Sequence, residues 1–220
     1  MKDASELFAL KVLGGDLSAA REDDFYAATL VGHVLRPVKR SGAHEGDRIF
    51  ITGPTGESAA GLDILRQMRE QVDFRKSGGS GPPGLPERTL SAVRRHLLPV
   101  PRNPSGLIDR ANAMIDISDG LLIDLWRMCM ASGRGAVIYE ERIPVSDAVR
   151  SVAAGLGKDP WDYVFAGGED YELLIASAAE HLEGCICIGE IMDAGFFIVD
   201  KNGQKRPFVP RGYEHFVDKG

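Results

Sequence analysis

AMIDISDGLLIDLWRMCMASG, residues 113–133, contains within one run the change of hydrophobic period that decides the fold. Its first residues, AMIDI, are apolar enough and short enough for a buried strand. Ser118, Asp119 and Gly120 interrupt that run, and Leu122, Leu125, Trp126 and Cys129 then recur at the spacing of one helix face. Gly133 follows, the residue type that most readily ends a helix in the left-handed conformation. The stretch therefore predicts a strand, an acidic turn and a helix. The same pattern stands upstream: RIFITG (48–53) reads as a strand, Gly53-Pro54-Thr55-Gly56 as a turn and GESAAGLDILRQMRE (56–70) as a helix.

Working outward, TLSAVRRHLLP (89–99) is helical in pattern. GAVIYEERIPV (135–145), YELLIAS (171–177), CICIGEI (185–191) and GFFIVD (195–200) read as strands, with Asn202-Gly203 as a tight turn. Before these, ASELFALKVL (4–13) has helical spacing and stops at Gly14-Gly15, and FYAATLVGHVL (25–35) reads as a strand. SGGSGPPGLPE (77–87) is too rich in Gly and Pro for regular structure and reads as a loop within the fold. Strands and helices alternate without an internal repeat, which gives the class as α/β or α+β.

A chain of 220 residues with 44% hydrophobic content can bury a sizeable core. Its formal charge of −6 argues against a surface that grips nucleic acid, where Lys and Arg cluster in excess. No apolar run approaches the roughly 20 residues of a membrane span, and the start, MKDASELFAL, lacks the order of a signal peptide. Cys129, Cys185 and Cys187 form no CxxC pair, and their odd number speaks against a disulfide framework. These features predict a cytoplasmic protein acting on small molecules. Cys185 and Cys187 alternate with Ile186 and Ile188, as two side chains on one strand face would.

The chemistry-bearing residues gather in three acidic glycine turns. In DISDG (116–120) an apolar strand delivers Asp116 to its end, and Ser118 and Asp119 fall where a helix starts, a place that offers backbone N–H groups to anions. Asp116 and Asp119 can hold Mg²⁺ through oxygen, the ion bridging to nucleotide phosphates; the same pattern also serves simply to cap a helix. In AGGEDYELL (166–174), Gly167-Gly168 permit close approach, and Glu169-Asp170 are either part of a site or a solvated pair in a turn. Gly14-Gly15-Asp16 is a third such turn, or a helix cap. Arg40, in KRSGAHEGD (39–47), has the bidentate geometry for a phosphate, and is equally compatible with a solvated loop. There is no P-loop, no GxGxxG and no Ser-His-Asp or Cys-His set, so no protein nucleophile is expected.

Taken in order, GGD (14–16), RSGAHEGDRIFITGPTGESAAGL (40–62), MIDISDGLLIDL (114–125), IPVS (143–146), AGGEDYELL (166–174), IGEI (188–191) and GYEHF (212–216) resemble the thiamine-monophosphate kinase family, within the wider aminoimidazole-ribonucleotide synthetase-like group. The resemblance implies a synthetase-like carboxy-terminal domain over 37–220, a mixed sheet with packed helices, preceded over 1–36 by part of an amino-terminal ATP-binding and dimerisation domain. It implies transfer of phosphate from ATP to thiamine monophosphate in a homodimer. Carried onto this sequence, it makes Gly15 and Asp16 nucleotide contacts with Asp16 also a Mg²⁺ ligand, Arg40 and Ser118 ATP contacts, Asp116 and Asp119 metal ligands, and Glu169 and Tyr213 contacts to the thiamine substrate. The family carries a further acidic segment before GGD, so the resemblance also implies that this chain holds only part of the metal cluster. GGDLS stands where GGDTT is usual, with Leu17 in place of a hydroxyl residue. The rival expectations are a catalytically silent nucleotide-binding or dimerising module, and a relative acting in purine, selenophosphate or hydrogenase-maturation chemistry.

Overall fold

A computed structural model describes residues 5–6, 8–16, 26–68 and 85–213. The chain packs as two units, Met1–Pro37 and Val38–Gly220.

The second unit is built on a seven-stranded sheet of order β2-β4-β1-β5-β3-β6-β7. The strands are β1 (Arg48–Ile51), β2 (Ala113–Ile117), β3 (Gly135–Tyr139), β4 (Glu172–Ser177), β5 (Ile186–Met192), β6 (Phe196–Val199) and β7 (Lys205–Pro207). All neighbours pair antiparallel except β3 and β6, which run parallel. The helices are α1 (Glu57–Gln67), α2 (Glu87–Leu97), α3 (Leu121–Ser132), α4 (Asp147–Leu156) and α5 (Pro160–Ala166). This is the mixed sheet with packed helices expected from the sequence.

The two-residue period of the strands divides the core. Ile49, Ile51, Ile117, Leu174, Ala176 and Ile188 join the helices in the larger cluster. Phe50, Leu173 and Ile175 point the other way, into a smaller cluster with Leu182 and the partly buried Leu107, Met114, Cys185 and Cys187. The two cysteines thus share a strand face as their spacing predicts, and all three cysteines are free thiols. Each fully buried side chain of the size of Phe50 or Phe165 contributes roughly 2–3 kcal/mol of hydrophobic stabilisation.

Local chemistry sets the helix ends. α3 stops at Gly133, whose φ of 64° is left-handed and whose N–H closes onto Met130 O. α4 and α5 add to the sequence reading. The Ser146 hydroxyl accepts from Val149 N–H at the start of α4, and the Asp159 carboxylate accepts from Trp161 N–H ahead of α5, with Pro160 in the first turn. α1 and α2 cross at Gly61, where an added methyl would collide with the Ala92 carbonyl.

The first unit departs from two expectations. Ser5 and Glu6 are helical, but residues 10–16 carry no regular structure, and residues 26–36 form no strand. Leu10, Val12, Leu13, Tyr26, Leu30, Val31, Val34 and Leu35 are exposed. A short amphipathic helix or a lone strand is marginal without a surface for its apolar face, and among the described residues of this unit nothing supplies one. Phe25, Leu17, residues 77–84 of the Gly/Pro-rich loop and residues 214–216 of GYEHF lie outside the described residues.

Replacing Gly61 by Ala should lower the unfolding free energy by about 2 kcal/mol despite Ala's better helix propensity, because the added methyl forces α1 and α2 apart. Urea denaturation of the variant beside the wild-type chain measures this.

Candidate functional site

β2 and β4 pair with Asp116 opposite Leu173 and Ile117 opposite Glu172. The end of β2 and the beginning of β4 therefore share one edge of the sheet, and the DISDG turn runs alongside the GGEDY loop. Main-chain bonds fix them to each other: Glu169 N–H donates to Ser118 O at 2.8 Å and Tyr171 N–H to Ile117 O at 2.9 Å. Gly168 makes this possible, since a Cβ there would strike the Ser118 carbonyl oxygen. The carboxy-terminal segment arrives at the same place, with Tyr213 N–H donating to Asp119 O at 2.9 Å. Ser118, Asp119, Glu169 and Tyr213, four of the residues singled out in the sequence, are brought together by these bonds. Asp116 is exposed one residue before Ile117, opposite Leu173 at the same strand ends.

The turn itself differs from expectation. Its backbone N–H groups do not stand free for an anion: the Asp124 carboxylate accepts from Ser118, Asp119 and Gly120 N–H through Oδ2, at 3.1, 3.0 and 3.1 Å. Asp124, in the first turns of α3, folds back over the helix start and caps it from within. The Arg127 guanidinium then joins Asp124 Oδ1, at 2.9 Å, to the Asp119 carboxylate. Burial pushes the Asp124 carboxyl upward, against the pull of the Asp119 and Gly120 N–H groups and of Arg127. A ligand at this turn meets side chains, not free backbone donors.

In the GGEDY loop the two adjacent acids part company. Glu169 is exposed, whereas Asp170 is fully buried and accepts from Gly56 and Ser58 N–H at the start of α1. The pair is therefore not the solvated one that the turn alone allows. Burial pushes the Asp170 carboxyl up to about 6, against those N–H bonds and the nearby Arg95. Glu172, also buried, accepts from Arg102, Thr52 and Arg95. Burial alone would raise its carboxyl, but these partners outweigh it and hold the group below its ordinary value. Glu169 and Tyr171 flank Asp170 with φ of 66° and 53°, left-handed conformations that cost a non-glycine residue on the order of 1 kcal/mol or more. The Tyr171 hydroxyl donates to Glu169 Oε2 at 3.0 Å.

Asp16 is exposed and belongs to the first unit. The backbone around Arg40 is anchored at the other end of β2 and α3: Lys39 O accepts from Met114 N–H and Ser132 Oγ from Gly42 N–H. Met114 lies two residues before Asp116 in β2, and Ser132 is the last residue of α3. Among the described residues no three His, Cys, Asp or Glu side chains form a ready metal cage. Mg²⁺ does not need one, since it commonly takes one or two carboxylates and completes its shell with water and phosphate oxygens, so the Asp116 and Asp119 donors fit it.

Residues 44–201 match the family described as AIR synthase related protein, C-terminal domain. The chain belongs to this family. Within it the chain is 31% identical over 222 residues to thiamine-monophosphate kinase of Aquifex aeolicus, covering 98% of this chain and 66% of that protein. It is 36% identical over 201 residues to thiamine-monophosphate kinase of Salmonella typhimurium, covering 83% and 56%. Among solved structures, AaThiL complexed with AMPPCP and TMP superposes with a TM-score of 0.68 at 32% identity, over 82% of this chain and 55% of that one. The hydrogenase maturation protein HypE of E. coli shares the fold, with a TM-score of 0.52 at 20% identity. The chain spans 66% or less of the length of these kinases. The resemblance drawn from the motifs and the synthetase-like fold it implied both hold.

For this family member the sequence reading passed over Asp124, Arg127, Arg95, Arg102 and Glu172. Asp124 carried a signal: an acid inside the apolar run LLIDL lands on the buried side of α3, where a charge needs partners. Arg95 and Arg102 carried none, since their partner Glu172 lies 77 and 70 residues away in sequence, whereas Arg127 sits three residues from Asp124 on the same helix.

The raised Asp170 carboxyl sets a pH dependence. Its stabilising contribution is fully present below its ordinary value near 3.8 and is lost as pH rises through about 6. The lowered Glu172 acts oppositely, its contribution disappearing only as pH falls below the ordinary glutamate range. Between about pH 4.5 and 6.5 the wild type should therefore lose on the order of 2 kcal/mol relative to Asp170→Asn, which cannot ionise. Denaturant unfolding of both proteins across that window is the measurement.

Proposed function

We propose that this chain carries the carboxy-terminal share of a Mg²⁺-dependent thiamine-monophosphate kinase, transferring the terminal phosphoryl group of ATP to thiamine monophosphate to give thiamine diphosphate and ADP. The observation that carries this reading is the convergence of Ser118, Asp119, Glu169 and Tyr213 on one sheet edge through Glu169 N–H···O Ser118 and Tyr213 N–H···O Asp119. Support also comes from the relatives named thiamine-monophosphate kinase, and from the solved relative complexed with AMPPCP, an ATP analogue, and TMP.

The attacking group in this reaction is the phosphate oxygen of thiamine monophosphate itself, so the protein has to position and neutralise rather than supply a nucleophile. Asp116 and Asp119 would hold Mg²⁺, which supplies neutralisation of the ATP phosphate charge when bound. Arg127 keeps the Asp119 carboxylate aimed from α3. Glu169 offers a negative charge to the cationic thiazolium, and the Tyr213 ring a face for one of the thiamine rings. Ser118, Gly15, Asp16 and Arg40 are assigned to the nucleotide, with Asp16 also on metal. On this reading residues 1–36 belong to the ATP-binding and dimerisation part, residues 37–220 to the synthetase-like domain, and the protein works as a cytoplasmic homodimer. Among the described residues no helix is long and apolar enough to cross a membrane.

Calorimetric titration with ATP in the presence of Mg²⁺, and separately with thiamine monophosphate, tests the assignment. Asp116→Asn should weaken Mg-ATP binding by about tenfold or more, the loss of one charged contact, while changing thiamine monophosphate binding by less than about twofold. Absence of thiamine monophosphate binding by the wild-type chain would refute the substrate assignment.

A further inference from the structure

The contact between Tyr171 and Glu169 extends the proposed function and rests on it. Glu169 is exposed, and an exposed glutamate ordinarily loses its orientation to rotamer freedom that binding must then remove. Here three features act against that freedom. Asp170, between the two, is buried and tied to Gly56 and Ser58 N–H, so the loop is anchored at its centre. The residues on either side are both left-handed, and their amides are fastened to Ser118 O and Ile117 O. The Tyr171 carbonyl in turn accepts from Arg102 N–H at 3.2 Å, which holds the second half of the loop. This arrangement brings the Tyr171 hydroxyl onto Glu169 Oε2 at 3.0 Å. Burial and the neighbouring Glu169, Asp116 and Asp119 carboxylates raise the phenol, so at neutral pH it remains protonated and donates.

We propose that Tyr171 is a positioning residue for substrate recognition: its hydroxyl holds the Glu169 carboxylate in the orientation that receives the thiamine cation. The strained backbone is retained because it places the phenol and the carboxylate on the same side of the buried Asp170. A relaxed loop would let them diverge. Tyr171 acts through Glu169 and not on the nucleotide, so its influence is confined to one of the two ligands.

Tyr171→Phe removes the hydroxyl and keeps the ring, the fold and the backbone conformation. Calorimetry should show thiamine monophosphate binding weakened about five- to tenfold, the range of one hydrogen bond to a charged group at a partly exposed site, with Mg-ATP binding changed by less than about twofold. In a Glu169→Gln background the same substitution should change thiamine monophosphate affinity by less than about twofold, because the partner it orients has lost its charge. Unchanged thiamine monophosphate affinity in Tyr171→Phe overturns the assignment, as does equal weakening of both ligands or full additivity in the double variant. A wild-type chain that does not bind thiamine monophosphate overturns the proposed function and this assignment with it. A wild type that binds, with Tyr171→Phe unaffected, overturns the assignment alone.

Discussion

The antiparallel register of β2 on β4 is the constraint on which the rest of the second unit depends. With Ile117 opposite Glu172, the acidic turn that leaves β2 and the acidic loop that enters β4 must run side by side. Their carbonyl and amide groups, which a sheet edge would otherwise present to solvent, pair with one another at Ser118 and Ile117. A shift of one residue would turn Ile115 and Ile117 out of the larger core and move Asp116 toward it, so the hydrophobic pattern of β2 enforces the register that builds the site. Gly168 is the steric counterpart, since the close approach of the two segments leaves no room for a side chain there.

Around this edge lie three buried acids, each satisfied differently. Asp124 faces the backbone N–H groups of its own turn and Arg127, Asp170 faces the start of α1, and Glu172 faces Arg95, Arg102 and Thr52. A buried carboxylate without such partners would cost several kcal/mol, so these contacts are conditions for folding as well as for function. They also tie together elements distant in sequence: α1, α2, α3 and the loop between α2 and β2 are all held to the ends of β2 and β4. The exposed Glu169, Asp116 and Tyr213 are thereby presented on a scaffold whose charges are already neutralised. Binding energy can then be directed to the ligand and not to organising the loop.

Much of this was legible from the residues alone. AMIDI, RIFI, ELLIAS, ICIGEI and FFIV appear where short apolar runs between turn residues put them, because strands covered on both faces are apolar on both. The reading of 135–145 as one strand ran past Tyr139 into a 3₁₀ turn over Glu140–Arg142, and β7 was not read. The helix after DISDG and its Gly133 stop follow from local chemistry of the same kind. α4 and α5 were passed over: α4 carries an apolar stripe of Ala148, Val149, Val152 and Ala153 that periodicity could have found, while α5 is two turns long, and capping by Ser146 and Asp159 was a further cue. The readings at 4–13 and 25–35 failed because periodicity reports which face a segment would bury. It does not report whether a surface exists to bury it against.

The sequence by itself determined the fold class, the family and the acidic turns, since these depend on period, residue type and motif order, all properties of neighbours along the chain. The tertiary structure alone decided what each acid does. Asp170 is buried and Glu169 beside it exposed, and Asp124 occupies the backbone donors that DISDG was expected to offer an anion. The reason is that a carboxylate's role is set by its burial and by the charges and donors around it, which for Asp170 and Glu172 come from 70 to 120 residues away. That information resides in the packing of the sheet edge and in no local stretch of residues.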